Sequence, residues 1–369
     1  MRTGIDARLT YYRPGGITRY IRHLLQELAA LDAETDYRVV HNWRAREDIT
    51  PGPNFQRANT LTPCHHRLEG WTLPVELLPQ RLDVLHSTDM IPPRWGPWRC
   101  VITIYDLHFL HYSAFMTADS LRYYKGQIAH AVSAADHILV ISESTGADLV
   151  DLLDVPASKI TVHAMGVGEK FHPLTDDVVQ AVRTRLGLPA EYILFVSTFE
   201  PRKNIPGLLA AYNLLRHEWP EVPPLVLAGR RGWLYDEIFA TVTELDLQSR
   251  IIWLENPGDD ALPAIYNGAS VFVLPSHYEG FGLTAAEAMA CGTPVVVANR
   301  SSLPEVVGKA GLLVDPDDPA DIAAALQRLL TDSDLHTRLR AAGRTQVAQF
   351  TWRRTAQIAL DVYRAVGAG

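Results

Sequence analysis

Short apolar runs alternate with longer segments of helical spacing along the whole chain, and this order is the strongest constraint on the fold. In the first half the runs lie at residues 37–41, 83–88, 101–106, 137–142 and 160–165. In the second half they lie at residues 192–198, 225–229, 251–256, 271–276, 294–298 and 311–314. Continuous apolar runs are typical of parallel strands that are covered on both faces. The alternation therefore predicts doubly wound α/β sheets.

The length of the chain, 369 residues, is too great for one ordinary hydrophobic core and predicts two domains. The boundary falls within residues 164–177, where a strand ends in glycines and a proline and helical spacing resumes only at Val178. The predicted parts are a first domain at 1–165, a second at 166–350 and a last amphipathic helix at 351–369. Residues 43–82 show no clear pattern beyond a helix near their end.

Charge and cysteine content exclude several classes of protein. The net charge of −8 and a pI near 5.9 argue against a nucleic-acid partner, which usually leaves a basic footprint. Cys64, Cys100 and Cys291 show no C-x-x-C spacing and are predicted to be reduced thiols. The start of the chain lacks the apolar stretch of a signal peptide, and no run approaches the ~18 residues of a membrane span. We therefore expect a cytoplasmic protein.

The segment HYEGFGLTAAEAMACG (277–292) follows a predicted strand, at the end where open α/β sheets bind ligands. Gly280 and Gly282 would let backbone N–H groups approach a ligand closely. A helix beginning near Thr284 would direct its positive dipole end at a phosphate. The alternative is structural, because Thr284 and Glu287 have the spacing of a capping box.

The segment STFEPRKNIPGLL (197–209) follows the first strand of the second domain and leads into its first helix. Arg202 and Lys203 lie in this turn, where two cations beside a helix N-terminus would form an anion site. The alternative is a solvated basic corner paired with Glu200. A cationic loop and a glycine-rich loop at one sheet edge together favour a diphosphate-binding pocket.

These segments together resemble the retaining glycosyltransferases of family 4. The motifs that carry the resemblance are PRKN, EGFGL, EAMACGTPVV and SSLPEVVG, with seven residues between Glu279 and Glu287. The segments GIDARLTYYRPGGITRYIRHLL and VITIYDLHFLHY extend it over nearly the whole chain. The resemblance implies the GT-B fold, two Rossmann-like domains with an interdomain cleft. It also implies that the first domain binds the acceptor and that the last helix crosses back onto that domain.

The same resemblance implies roles for residues of the second domain. Glu279 would lie by the donor sugar and Lys203 by the diphosphate, while Glu287 would accept hydrogen bonds from the ribose. The backbone that would hold the sugar and phosphates comprises Gly280, Phe281, Gly282, Leu283 and Thr284. Thr198 stands where the family commonly has an arginine, and Arg202 is the candidate to supply that charge.

The nucleotide base is expected on the loops at 228–233 and 254–263, which include Arg230 and Leu254. An ordinary surface role is the alternative for Arg230 and Arg231.

In the first domain, Gly15 and Gly16 stand just before a helix and would let the backbone approach the donor or acceptor. Tyr105 stands where the family has a histidine, next to Asp106. His108 or His111 would then offer the donor a hydrogen bond, unless the histidine is packed or merely on the surface.

The resemblance implies transfer of a hexosyl or deoxyhexosyl unit to an acceptor hydroxyl with retention, without a metal or other cofactor. GDP-, UDP-, ADP- and dTDP-sugars all stay open as donors, and so do saccharide, lipid-linked and small-molecule acceptors. The rival functions are a nucleotide-sugar 2-epimerase of the same fold and a non-catalytic nucleotide-sugar-binding protein. A basic stripe on the first helix, formed by Arg19, Arg22 and His23, predicts weak peripheral contact with an anionic membrane, with a solvated face as the alternative.

Overall fold

The computed structural model describes residues 1–12 and 15–368, which form two compact units. Unit 1 comprises Met1–Gly166 together with Phe350–Gly369, and unit 2 comprises Val167–Gln349. The chain therefore passes from one unit to the other after Gly166 and returns to the first unit at Phe350.

Unit 1 is built on a parallel sheet of seven strands, in the order β3-β2-β1-β4-β5-β6-β7. The strands are β1 (Arg2–Asp6), β2 (Asp36–Asn42), β3 (Phe55–Thr60), β4 (Val84–Ser87), β5 (Arg99–Ile104), β6 (His137–Val140) and β7 (Ile160–Val162). The helices are α1 (Gly16–Leu31), α2 (Glu69–Leu77), α3 (His108–His111), α4 (Ala118–Ala134) and α5 (Glu143–Leu153).

Unit 2 is built on a second parallel sheet, in the order β10-β9-β8-β11-β12-β13. The strands are β8 (Ile193–Phe199), β9 (Leu225–Arg231), β10 (Ile251–Glu255), β11 (Val271–Leu274), β12 (Val295–Ala298) and β13 (Leu312–Val314). The helices are α6 (Asp176–Leu186), α7 (Ile205–Glu218), α8 (Asp236–Glu244), α9 (Leu262–Asn267), α10 (Leu283–Ala290), α11 (Leu303–Val307), α12 (Pro319–Thr331) and α13 (Ser333–Val347).

The last helix, α14 (Trp352–Gly367), belongs to unit 1 and packs along α1. The Thr355 hydroxyl donates to the Ala164 carbonyl at 2.6 Å, and the Tyr363 hydroxyl lies 2.6 Å from Nδ1 of His86. Both contacts join the end of the chain to residues near or within the first sheet. The last helix thus completes the core of unit 1.

The predicted α/β class is confirmed, and the differences from prediction are local. The sequence of residues 319–343 has helical spacing throughout and by itself predicts one helix, yet the segment forms two helices that divide at Asp332, whose side chain accepts from the Leu335 N–H at 2.9 Å. Strand β3 lies in the stretch that showed no pattern, because its sequence FQRANT is polar at most positions and it is an edge strand. Among the described residues, no helix combines the length and apolar character needed to cross a bilayer.

Both sheets reverse their strand order at an internal point, between β1 and β4 in unit 1 and between β8 and β11 in unit 2. Open α/β sheets bind ligands outside the carboxyl ends of the strands at such a switch point. The loops after β8 and β11 are the two segments in which the sequence predicts donor binding. The fold therefore brings these segments to adjacent strands.

Candidate active site

The cationic turn after β8 is a single turn of 3-10 helix, Pro201–Lys203. Asn204 follows in the left-handed region, with φ of 53°, and its side-chain amide donates to the Pro316 carbonyl at 2.6 Å. This bond fixes the end of the turn before α7 begins. Lys203 is held with only 8% of its surface exposed, so its ammonium group lies within the sheet edge rather than in bulk solvent.

The carboxylate loop after β11 ends at Gly282, where the backbone adopts φ of 92° and α10 begins at the next residue. A Cβ atom at Gly282 would lie 2.5 Å from Cδ2 of Leu303, so both the conformation and the space require glycine. Glu279 lies three residues before this turn and is 7% exposed.

Lys203 and Glu279 form the centre of the site. The Lys203 ammonium donates to both carboxylate oxygens of Glu279, at 2.7 Å to Oε1 and 2.9 Å to Oε2. Arg202 Nη1 lies 3.3 Å from Oε2, and the Ser276 hydroxyl donates to Oε1 at 2.7 Å. A carboxylate has about four lone-pair positions. Four donated bonds therefore engage Glu279 fully.

The pKa of Glu279 lies below its ordinary value of 4.5. Burial alone would raise this pKa, but the charges of Lys203 and Arg202 and the hydrogen bonds from Lys203 and Ser276 outweigh burial. Glu279 is consequently an anion at neutral pH. It can accept hydrogen bonds from hydroxyl groups, and it is not poised to donate a proton.

Arg202 is bound at several points. Its Nη2 and Nε atoms donate to Oε1 of Glu200 at 2.6 and 3.1 Å, and its Nη1 donates to the Tyr278 carbonyl at 2.8 Å. Glu200 is itself only 3% exposed. The sequence offered a pairing of Arg202 with Glu200 as the alternative to an anion site. This pairing is present, and Arg202 contacts Glu279 as well. Arg202 joins the cationic turn to the carboxylate loop.

Two serines hold the carboxylate loop from the other side, and sequence reasoning did not assign them a role. The Ser301 hydroxyl accepts from the Glu279 N–H at 2.8 Å, and the Ser302 hydroxyl donates to the Glu279 carbonyl at 2.8 Å. They lie in the quoted motif SSLPEVVG, so the motif was the available signal. Ser276, another missed residue, lies in the turn between β11 and Glu279.

Glu287 is fully buried within α10 and accepts a hydrogen bond from the Tyr266 hydroxyl at 3.1 Å. The capping-box alternative is wrong, because α10 begins at Leu283 with Gly282 as its N-cap residue. Thr284 is thus the second residue of the helix. The other predicted backbone positions, Gly280 and Phe281, are buried in the same loop.

The two positions nominated for the nucleotide base lie on the paired strands β9 and β10, where Leu254 is the register partner of Ala228. Arg230 is exposed near the end of β9, and its Nε lies 3.5 Å from the Thr198 hydroxyl on the adjacent strand. Leu254 is buried in β10, the outer strand of the sheet. Arg230 and Arg231 are strand residues, so the prediction of a loop at 228–233 is wrong. Arg231 pairs with Glu255 at 2.5 Å, as the surface alternative expects.

In unit 1, Asp106 and His108 follow β5 and pair with each other, with His108 Nδ1 2.5 Å from Asp106 Oδ1. The other ring nitrogen, Nε2 of His108, is buried and has no hydrogen-bond partner among the described residues. His111 pairs with Asp148 at 2.9 Å. Tyr105 donates its hydroxyl to the Thr88 carbonyl at 2.8 Å, so this tyrosine is tied to the loop after β4.

Gly15 and Gly16 stand at the start of α1, where Gly15 is the N-cap residue. A Cβ atom at Gly16 would have no described heavy atom within 4 Å, which leaves open space beside this backbone.

A buried ionic cluster after β1 was not expected from the sequence. Arg8 is 1% exposed and donates to both oxygens of Asp6, at 2.6 and 2.9 Å, and to Oε1 of Glu69 at 2.6 Å. Glu69 also accepts from the backbone N–H of His65 at 2.6 Å. The His65 ring lies 2.8 Å from Asp89, which follows β4. The cluster therefore spans the switch point of unit 1.

Family models match both units. The model described as Glycosyltransferase Family 4 matches residues 14–170, and the model described as Glycosyl transferases group 1 matches residues 181–346. The O-antigen chain mannosyltransferase B of Escherichia coli is 31% identical over 95% of this chain and 96% of that protein. The chain belongs to the family 4 glycosyltransferases.

Two further similarities place this glycosyltransferase among proteins of the GT-B fold. The serotype-specific mannosyltransferase WbdA of Escherichia coli is 33% identical over 74% of this chain, a match that spans only 34% of that longer protein. The sucrose-phosphate synthase of Thermosynechococcus elongatus superposes with a TM-score of 0.79 and 25% identity, over 100% of this chain and 99% of that one.

Proposed function

We propose that this glycosyltransferase transfers a hexosyl unit, with mannose the first candidate, from a nucleoside-diphosphate sugar to an acceptor saccharide. The observation that carries the proposal is the Lys203–Glu279 pair at the switch point of unit 2, with Arg202 beside it. In this pair, an ammonium group that can bind diphosphate lies directly against a carboxylate that can bind sugar hydroxyls. The mannosyltransferase activity named for two similar proteins supports the choice of sugar.

Donor binding is proposed to proceed as an exchange of partners. All four lone-pair positions of Glu279 are engaged, two of them by Lys203. When a diphosphate takes the Lys203 ammonium, one position on each carboxylate oxygen is released. Two sugar hydroxyls can then donate to Glu279. The diphosphate and the sugar are therefore recognised together, and a free sugar or free phosphate satisfies only half of the exchange.

The same cations are proposed to assist the departure of the leaving group. Negative charge grows on the diphosphate as the glycosidic bond breaks, and fixed cations in a partly buried site stabilise that charge as it develops. Lys203 and Arg202 supply the charge, since Thr198 has none. The proposal needs no metal ion and no other cofactor. Activity is expected to be the same after treatment with EDTA, and a loss that Mg²⁺ or Mn²⁺ restores would contradict this part.

We propose that the acceptor attacks the face from which the diphosphate leaves, with retention of the anomeric configuration. The departing phosphate would take the proton of the acceptor hydroxyl. Proton NMR of the fresh product with an α-linked donor should show an α-linkage. An inverted β-linkage would refute retention and leave the donor site unaffected.

The donor is tested with a thermal-shift panel of GDP-, UDP-, ADP- and dTDP-sugars. A ligand at one hundred times its Kd stabilises the folded state by about 2.7 kcal/mol, a shift that is easily measured. GDP-mannose is expected to give the largest shift. A larger shift with another nucleotide sugar would identify that sugar as the donor in place of GDP-mannose. The proposed transferase function would be unaffected.

Release of nucleoside diphosphate separates the rival functions. A transferase releases it in proportion to added saccharide acceptor, whereas a non-catalytic binding protein releases none. A 2-epimerase would instead convert the sugar without any dependence on acceptor.

The role of Arg202 is tested with Arg202→Ala against Arg231→Ala. Both arginines pair with a glutamate, but Arg231 is an exposed residue at the end of β9. Arg202→Ala should lower kcat about 100-fold, the usual loss of one donor to a developing charge. Arg231→Ala should leave kcat unchanged. Equal kcat and donor KM in Arg202→Ala and the unaltered enzyme would show that Arg202 only anchors the loop.

A further inference from the structure

Exposed aromatic side chains are concentrated at one part of unit 1, where β1 and β2 end. Six tyrosine and tryptophan residues are exposed in the described part of the chain, and three of them follow these two paired strands. We name these three residues the aromatic platform: Tyr11 and Tyr12 follow β1, and Trp43 follows β2. Their exposed fractions range from 40% to 52%. Scattered apolar residues on a surface need no explanation, but a group of them on neighbouring loops indicates a binding surface.

The two loops that carry the platform are joined to each other. The Asn42 side-chain amide donates to the Tyr12 hydroxyl at 2.6 Å, and the Asn42 side-chain oxygen accepts from the Arg44 N–H at 2.9 Å. The Tyr11 and Tyr12 rings meet edge to face, with 5.0 Å between their centres. The last residue of β2 thus fixes a tyrosine of one loop and the backbone of the other. The platform is preformed, which lowers the entropy cost of binding a ligand.

The loop after β2 is also anchored on the side of β3. The Trp43 N–H donates to the Thr60 carbonyl at 3.0 Å. The Arg57 guanidinium donates to the carbonyls of Ala45 and Glu47, the latter at 3.0 Å. The exposed Trp43 side chain therefore projects from a backbone that is hydrogen-bonded on both sides.

The basic stripe predicted on α1 contributes to this anchor. The Arg22 guanidinium donates to both oxygens of the Glu47 carboxylate, at 2.7 and 2.5 Å. The His23 ring stacks on Trp352 of the last helix, with 4.6 Å between ring centres. Two of the three side chains of the stripe are thus engaged within the protein, so the stripe offers a membrane fewer free charges than the sequence suggests.

The chemistry of the platform suits a neutral saccharide. A hexose ring has a face of C–H groups and a rim of hydroxyls, and aromatic rings with polar tips can bind both. The Arg44 guanidinium lies 5.1 Å from the centre of the Trp43 ring, where its N–H groups can donate to hydroxyls beside that ring. The exposed charges of the loop are balanced, with two arginines and two acids: Arg44, Arg46, Glu47 and Asp48. This balance gives no basic footprint for a nucleic acid.

The platform lies to one side of the place where a ligand of this sheet is expected. Ligands of open α/β sheets bind at the switch point, which in unit 1 lies between β1 and β4. Strand β2 is on the other side of β1, one strand spacing of about 4.8 Å away. A saccharide with its reacting unit at the switch point would therefore extend its next units over the platform.

We propose that the aromatic platform binds the sugar units of the acceptor that lie behind the reacting unit, so that the enzyme prefers an oligosaccharide to a single sugar. The inference rests on the proposed function, which supplies an acceptor saccharide and leaves its length open. Trp43 is the specificity-determining residue, because it is the most exposed member of the platform. Units that take no part in the reaction contribute the same binding before and during transfer. They lower the KM of the acceptor and leave kcat unchanged.

The test is a kinetic series with mannose and its α-linked di-, tri- and tetrasaccharides as acceptors. In the unaltered chain, KM should fall as the acceptor lengthens. Trp43→Ala should raise the KM of the tetrasaccharide at least about tenfold, a loss typical of a truncated aromatic anchor. The KM of mannose and the kcat at saturation should not change. Trp43→Phe keeps an aromatic ring and should retain most of the preference for length.

The matched control is Trp95→Ala, which removes another exposed tryptophan of unit 1, before the start of β5. This variant should behave like the unaltered chain with every acceptor, and donor-induced thermal shifts should be the same in all of these proteins. An equal rise in KM for mannose and the tetrasaccharide in Trp43→Ala would overturn the proposal. So would a smaller donor-induced shift in Trp43→Ala, since the platform would then bind the donor.

Binding without transfer separates this inference from the proposed function. Saturation-transfer NMR of the tetrasaccharide, recorded without a donor, reports contact with the protein and requires no reaction. A signal that Trp43→Ala weakens and Trp95→Ala preserves would support the platform even if no transfer occurs, and the proposed function alone would then fail. The absence of a signal with the unaltered chain would overturn the platform, even if the enzyme transfers a sugar to mannose.

Discussion

Each unit has a cation just after the first strand of its sheet. The charged groups around that cation differ between the two units. Arg8 follows β1 in unit 1, and Lys203 follows β8 in unit 2, each beside the switch point. Arg8 is bound by two carboxylates, Asp6 and Glu69, and is almost fully buried. In unit 2, Lys203 and its neighbour Arg202 share the single carboxylate of Glu279.

The ratio of charges separates a structural ion cluster from a ligand site. Around Arg8 the carboxylates outnumber the cation, so an added anion would meet repulsion. Around Glu279 two cations, Lys203 and Arg202, meet two carboxylates, because Arg202 also pairs with Glu200. Under the proposed function, a diphosphate would replace Glu279 as the partner of Lys203. The strand order determines where the groups meet, and the local ratio of charges determines whether an anion can bind.

The largest effect is expected on activity, from Lys203→Met. The change removes the ammonium group that would hold the departing diphosphate, and kcat should fall about 1000-fold. Nucleoside diphosphate release under saturating donor measures it. Arg8→Met, at the equivalent place in unit 1, serves as the comparison, and the kcat of its folded fraction should change little. A similar loss in both variants would mean that the two cations do not differ in function.

The next effect is on stability, from the same Arg8→Met variant. Removal of Arg8 leaves Asp6 and Glu69 buried without their cation, at a cost of about 3–5 kcal/mol. Hydrogen exchange followed by mass spectrometry should show faster exchange in peptides of unit 1, with unit 2 unchanged. Loss of protection confined to residues 1–12 would instead show that the cluster is only a local clamp.

The two glutamates should also give opposite dependences of stability on pH. The pKa of Glu279 is lowered, so its native state binds fewer protons than the unfolded state below pH 4.5. Its stabilisation is present above that pH and is lost as the pH falls through the lowered pKa. The pKa of Glu69 is raised, because burial and the charge of Asp6 outweigh the charge of Arg8. Its native state binds more protons just above pH 4.5, so stability falls as the pH rises there.

Glu279→Gln and Glu69→Gln test this contrast. The stability difference between the unaltered chain and Glu279→Gln should grow with pH up to about 4.5 and then level off. The corresponding difference for Glu69→Gln should shrink as the pH rises above about 4.5. Hydrogen exchange in each unit, measured over a pH series, gives both slopes. Slopes of the same sign would contradict the proposed difference in charge balance.

The smallest effect concerns Glu287, which accepts from Tyr266 within unit 2. An amide oxygen can still accept this bond, so Glu287→Gln should change the free energy of unfolding by no more than about 1 kcal/mol. Donor affinity should fall further if Glu287 binds the ribose. Tyr266→Phe is the control, because it removes the internal bond and keeps the acid. Lower stability with unchanged donor affinity in Glu287→Gln would make the acid structural.

Most of the fold could be predicted because buried parallel strands have continuous apolar sequences, as in β8 and β11. Strand β3 could not, since it is an edge strand and most of its residues are polar. The two loops that hold Lys203 and Glu279 were predicted to lie at one sheet edge, but the direct pair between these side chains was not predicted. The Arg8–Glu69 pair joins residues 61 positions apart, and Glu69 lies outside every segment that carries the resemblance. Sequence spacing carries no information about such a contact.

The return of the chain to unit 1 at Phe350 has a consequence during synthesis. Unit 2 is a continuous insertion, and all of its residues are translated before the last helix. Unit 1 then still lacks Tyr363, the partner of the buried His86, and the packing of α14 along α1. The order in which domains usually fold, N-terminal first, is therefore expected to be reversed. Unit 1 can complete its core only after the last helix has been translated. A chain truncated before Phe350 should therefore contain a folded unit 2 and an incompletely folded unit 1.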